Sequence, residues 1–288
     1  MPLRCDWITQ RMRSIDRVRP AASEAVTDMT QDSRALAEEF DVPHALMERF
    51  VNRFSPKLVA PDSFRADADT MLFVHIPKTA GMSVGRSFQE TFDIFRGVHW
   101  QDVVKSFRNQ TREAIYLQSQ GRARQVIMGH YGWPELQVWR NHEMPMKCGT
   151  ILRDPVARTI SNYHYNCSAA HPDNEGFRNR FPTLDAYVQQ IPYDVQVTQA
   201  LGMVCSFENV LTKLINHYTF LGVTEHLSAS LAHLARSHGL PKPQEFRENI
   251  GKASEDEAPP ADLIKHIEAR CHNDRKLHSL LMRLYATN

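Results

Sequence analysis

Residues able to do chemistry gather at three places along the 288-residue chain. The first is Pro77-Lys78-Thr79-Ala80-Gly81-Met82-Ser83, a turn of small residues with one ammonium and two hydroxyls. The second is His130, within Gly129-His130-Tyr131-Gly132-Trp133. The third is Arg153, which precedes Asp154-Pro155 and stands eight residues before Ser161. A turn that opens a helix presents unpaired N–H groups and the positive end of the helix dipole, so it is a ready anion site. Lys78 adds a full charge there, and Thr79 and Ser83 add donors. An imidazole titrates near neutrality and can take a proton from an alcohol. The planar fork of an arginine suits a phosphate. Each group also has a plainer reading: a strand–helix turn that happens to hold a lysine, a structural histidine, an arginine at a helix start.

The elements that must position these groups can be read from the apolar pattern. Met71-Leu72-Phe73-Val74, ending at Ile76, is too short for a helix and predicts a buried strand, which Pro77 stops. Val84, Phe88 and Phe92 then repeat every fourth residue, one face of a helix. Val126-Ile127-Met128 predicts a second strand, ended by Gly129 just before His130. Thr150 to Leu152 predicts a strand end, with Asp154 as N-cap, Pro155 as first helical residue and Val156, Ile160 and Tyr163 as a buried face. Further strands are expected over Phe95–Trp100 and Tyr218–Val223, and helices over Thr111–Gln120, Thr183–Ile191 and Phe207–His217. A helix carrying Leu227, Leu231 and Leu234 follows, and a last one carries Leu277, Leu280, Leu281 and Leu284 on one stripe. Ser168–Pro182, with Arg178 and Arg180, and Pro241–Pro260 read as loops. This alternation predicts an α/β fold. Ahead of it, Met1 to about Thr30 is expected to be an irregular arm. Two helices follow, the first with Leu36 and Phe40 on one face, the second opened by Pro43 with Met47, Phe50, Val51 and Phe54. The expected division is 1–68 for the N-terminal arm and helical extension and 69–288 for the catalytic domain.

The whole-chain numbers narrow the partners. A formal charge of +1 implies no strong general attraction to nucleic acid or to an anionic membrane. Cys5, Cys148, Cys167, Cys205 and Cys271 are scattered and form no Cys-x-x-Cys pair, which suggests neither a zinc site nor a disulfide framework. No apolar run approaches the roughly 18 residues of a membrane span, and no leader is seen. The expected location is cytoplasmic.

The lysine begins the 77–83 loop, whereas in nucleotide triphosphatases it ends a Gly-rich loop and is followed by Ser or Thr. The order here resembles the 5′-phosphosulfate loop of sulfotransferases that use 3′-phosphoadenosine 5′-phosphosulfate (PAPS). In the branch that includes the heparan and chondroitin 2-O-sulfotransferases the loop reads P-K-T-A-x-x-S, and Pro77 to Ser83 matches it. Leu152-Arg153-Asp154-Pro155-Val156-Ala157-Arg158, running on to Ser161-Asn162-Tyr163, resembles the 3′-phosphate motif of that family. Gly129-His130-Tyr131 resembles its Gly-His followed by an aromatic, whose histidine is taken as the base. Leu221 to Leu227 is similar to a late strand–helix element that forms core, and His226 is read as structural.

The resemblance runs from about Met71 to Tyr285 and implies a P-loop-like three-layer fold, a central parallel sheet flanked by helices, with an N-terminal helical extension. It implies PAPS as sulfuryl donor and 3′-phosphoadenosine 5′-phosphate (PAP) as product, with no metal required. The catalytic pair would be His130 and Lys78. Lys78, Thr79, Ala80, Gly81, Met82, Ser83, Arg153 and Ser161 would bind the donor. Phe246 to Ser254 sits where the family closes a loop over the cofactor, which suggests Asn249, Gly251 and Lys252 for the 3′-phosphate or adenine. Arg158 is a second-rank candidate, His99 the runner-up base, and His75 is expected to be buried in its strand. The acceptor would be a hydroxyl on a glycan or glycolipid, and a homo-oligomer is left open. Animal members of the branch are usually anchored in the Golgi, so the alternatives are a soluble, bacterial-type protein or one lacking its anchor, the latter placed in the Golgi lumen. The rival readings are a small-molecule kinase using ATP–Mg²⁺ and a non-catalytic nucleotide-binding member of the fold.

Overall fold

The computed structural model describes residues 32–58, 69–98, 100–121, 123–140, 147–241, 243–244 and 259–286. In chain order the elements are α1 (32–40), α2 (His44–Phe54), β1 (Thr70–Val74), α3 (Gly81–Thr91), β2 (Ile94–Val98), α4 (Val103–Ser119), β3 (Gln125–Gly129), α5 (Trp133–Arg140), β4 (Lys147–Leu152) and α6 (Pro155–Cys167). Then come α7 (Asn174–Arg180), α8 (Leu184–Val188), α9 (Val195–Leu201), α10 (Phe207–His217), β5 (Phe220–Val223), α11 (Leu227–His238), α12 (Ala261–Arg270) and α13 (His272–Ala286).

The five strands form one sheet in the order β2-β3-β1-β4-β5, and every pair is parallel. β1, β3 and β4 are buried along their whole length. Parallel strands covered on both faces read as continuous apolar runs, which is why Met71–Val74 shows no polar alternation. The pleat sends successive side chains to opposite faces. Leu72 and Val74 enter a cluster with Phe50, Phe54, Leu211, Leu214, Leu280 and Leu281. Met71 and Phe73 enter the opposite one with Val84, Phe88, Leu231 and Leu234. The result is three layers, helix on sheet on helix. Phe40, Met47, Phe50 and Phe54, from the two helices ahead of β1, belong to the first of these clusters.

Several elements differ from expectation. α4 begins at Val103 rather than near Thr111. The segment expected to be a loop over 168–182 contains α7, a polar helix with no buried residue. α5, α9 and α12 carry too short or too polar a pattern to announce themselves. On α6 the fully buried residues are Pro155, Arg158 and Thr159. The expected stripe of Val156 and Ile160 is half-buried, because only a small satellite cluster with Val188, Leu263 and Ile267 covers it.

Candidate active site

β3, β1 and β4 lie side by side and release the three motifs at one edge of the sheet. Val74 is level with Gly129 on one side and with Thr150 on the other. The chain leaves β1 toward β2 and later crosses from β3 to β4, so the strand order reverses around β1. A crevice at the carboxyl ends of the strands is the expected consequence at such a point.

The loop after β1 is held in an uncommon conformation. Lys78 and Ala80 have φ of +71° and +59°, a region that costs non-glycine residues on the order of 1–3 kcal/mol and concentrates at functional sites. Left-handed residues alternating with right-handed ones turn successive N–H groups toward one concavity, an anion nest. The nest leads into the N-terminus of α3 at Gly81. Met82 has an exposed side chain, so toward the nest it offers its backbone, and Ser83 is buried in the first turn of α3.

Thr79 departs from expectation. It is buried, its hydroxyl donates to the Ile76 carbonyl at 2.8 Å, and its N–H is directed at the same carbonyl at 3.3 Å. A hydroxyl has one proton to give. Here that proton closes the turn rather than reaching an anion. Thr79 therefore shapes the loop.

Lys78 sits with Nζ 4.2 Å from the centroid of the Tyr165 ring. Burial, and then the charge of Arg153, lower its pKa from the ordinary lysine value. Arg153 Nη1 donates to the Lys78 carbonyl at 3.2 Å. No carboxylate within ion-pair distance of either cation is found among the described residues. Two cations held together, with no carboxylate partner among the described residues, form a place that an anion relieves.

His75 is not embedded in its strand as expected. It lies one residue beyond β1, and its ring is 4.6 Å, centroid to centroid, from that of His130. A Cβ added at Gly81 would come within 2.1 Å of the His75 ring. Only glycine lets the nest close over this imidazole. Burial, then the charges of His130 and Lys78, press the His75 pKa down to about 3. His75 is thus a neutral packing piece beneath the loop, and His130 beside it is partly exposed.

Arg153 follows β4 directly. Asp154 caps α6, its Oδ1 accepting from Ala157 N at 2.7 Å, with Pro155 in the first turn as the sequence predicts. The backbone of Arg153–Asp154 is held from two sides, by Gln196 and by Glu225. Ser161 lies two turns into α6 and is partly exposed, about 10 Å along the axis from the cap by helical rise. Arg158 is turned inward, 2% exposed, and does not share the crevice. His99, Asn249, Gly251 and Lys252 lie outside the described residues.

The sequence reading missed Tyr165, Gln196 and Glu225. Tyr165 follows the third motif and shared its helix, a usable signal. Gln196 sits in a seven-residue helix whose apolar stripe, Val197, Ala200 and Leu201, is too short to announce it.

A model of the sulfotransferase family matches residues 61–287. No curated protein sequence matches the chain. Among solved structures, mouse sulfotransferase SULT7A1 complexed with PAP is similar over 73% of this chain and 68% of that one, at 15% identity and a TM-score of 0.35.

Proposed function

Since the chain belongs to the sulfotransferase family, a group of PAPS-dependent enzymes, we propose that it carries the sulfuryl group of PAPS to a hydroxyl of a carbohydrate or glycolipid. The observation that carries this reading is the convergence of Lys78, His130 and Arg153 from the adjacent ends of β1, β3 and β4. PAPS supplies an activated sulfuryl group on its 5′-phosphate and a 3′-phosphate that separates it from ATP.

In this reading the backbone of Ala80 to Ser83 holds the 5′-phosphate at the N-terminus of α3. Arg153 and Ser161 take the 3′-phosphate, and Lys252 is a further candidate from the cofactor loop. Lys78 neutralises the charge that develops on the leaving oxygen, and His130 accepts the proton of the acceptor hydroxyl. In-line transfer of a trigonal group asks mostly for positioning and charge stabilisation. Lysine supplies here the charge that Mg²⁺ supplies in kinases. Tyr165, 40% exposed beside Lys78, adds an aromatic face at the reacting centre against which a sugar ring can pack.

A thermal-shift comparison of PAP, ADP and ATP–Mg²⁺, with wild type beside Arg153→Ala, tests the donor assignment. A ligand that binds only the native state raises apparent stability. The expected result is a shift with PAP that Arg153→Ala loses. A larger shift with ATP–Mg²⁺ would overturn the reading in favour of a kinase.

A further inference from the structure

Gln196 ties Arg153 to the C-terminal helix through three hydrogen bonds. Its Oε1 accepts from Arg153 N–H at 3.0 Å, and its Nε2 donates to the Arg153 carbonyl at 2.9 Å. A primary amide that pairs with both polar groups of one residue fixes that backbone unit in position and rotation. Gln196 is fully buried, and its own N–H donates to Asp274 Oδ2 at 3.0 Å. Asp274 also accepts from Val197 N at 2.8 Å, so a residue of α13 caps α9. In return Asp194, just ahead of α9, accepts from Asn273 N at 2.7 Å and Asp274 N at 3.1 Å, so a residue at the start of α9 caps α13.

One helical turn on, Gln199 Nε2 donates to the His75 carbonyl at 3.0 Å and to the Tyr131 carbonyl at 3.3 Å. Residues three apart share a helix face. That face of α9 therefore touches the segments that follow β1, β3 and β4.

We propose that Gln196 is the positioning residue of the 3′-phosphate pocket, holding Arg153 so that its guanidinium spans from the Lys78 carbonyl to the phosphate. The inference rests on the reading of Arg153 as the 3′-phosphate group. The guanidinium stands on a backbone that no regular element holds, since β4 ends at Leu152 and α6 begins at Pro155. Without the amide clamp this two-residue joint could rotate, and the fork would lose its aim.

The test uses two nucleotides that differ by one phosphate. PAP and 5′-AMP are titrated by calorimetry into wild type, Gln196→Ala and Gln199→Ala, and the ratio of the two dissociation constants gives the value of the 3′-phosphate. Gln196→Ala is expected to reduce that ratio about tenfold through misplacement of the fork, with 5′-AMP affinity nearly unchanged. Gln199→Ala removes a comparable amide from the same helix and should keep the ratio. Gln196→Met, of similar length and lacking both bonds, gives the same answer if the alanine variant does not fold. An unchanged ratio in the Gln196 variants overturns the proposal, as does an equal loss in Gln199→Ala, which would mean general loosening. A wild type that binds both nucleotides alike would instead overturn the reading of Arg153, and the proposal with it.

Discussion

At the scale of single residues the site is a problem in charge. Lys78 carries a proton that burial and Arg153 both make easier to lose. In the proposed role on the leaving oxygen its value depends on the charged form, so the alkaline limb of the rate profile should fall below the ordinary lysine range, and Lys78→Arg should move that limb upward. Lys78→Met should slow sulfuryl transfer by about 10²–10³-fold, as removal of a donor to a developing charge does. PAP binding should weaken much less. Equal losses in rate and binding would argue against a role on the leaving oxygen. His130→Ala should keep the PAP thermal shift and lose about 10²–10⁴ in transfer; near-normal turnover in that variant would exclude His130 as the base. The motifs that hold these residues were legible in the sequence because motif order and spacing survive without structure. Their neighbours were not. His75 looks like one more residue of an apolar strand until the chain closes Gly81 over its ring, and the hydroxyl of Thr79 looks like a ligand until Ile76 accepts its proton.

At the scale of elements, the joints between strands and helices are what the site depends on. Gly81→Ala places a Cβ 2.1 Å from the His75 ring, so the nest must open. The expected outcome is loss of the PAP thermal shift, with far-UV circular dichroism retained. A normal PAP shift would mean that the His75 ring yields instead. Strong elements were legible: β1, β5 and α10 follow their apolar patterns closely, and the Asp154-Pro155 start of α6 is a local signal that the structure meets. Weak ones were not. α9 is seven residues long, begins after Asp194 at φ +46°, and takes its order from bonds to α13 almost eighty positions away. No window along the sequence contains that information. α7 buries nothing, so no stripe marks it. The strand order was hidden as well, because two parallel strands joined by a helix need not be neighbours, and β1 and β2 are separated here by β3.

At the scale of the molecule, the C-terminal helix α13 holds the architecture behind the site, and two carboxyl groups linked to it give that role a pH signature. Asp274 caps α9 while fully buried. Burial, with Asp194 adding to it, pushes its pKa up to about 6, against the pull of the Val197 and Gln196 N–H groups and of Arg158. In the unfolded chain the group returns to the ordinary aspartate value near 4. Between these values the folded protein holds a proton that the unfolded chain has released, so stability falls as pH rises from about 4 to about 6, by about 3 kcal/mol in the limit. Glu225 behaves in the opposite sense. Burial opposes its ionisation, but His278 of α13 and the Asp154 N–H outweigh burial and hold it at about 2. Its contribution is present above the ordinary glutamate value and is lost as pH falls toward 2. Both groups secure the Arg153–Asp154 joint, one through Gln196 and one directly. Urea unfolding of wild type and Asp274→Asn across pH 4 to 7 separates the two effects. The wild type should lose stability relative to the variant as pH rises through that window, and no change in the difference would show that Asp274 does not titrate there. If the difference appears, the ionised carboxylate destabilises the fold at neutral pH while ordering the helix that holds the Arg153 backbone, and in the proposed role of Gln196 stability is given up for alignment at the site.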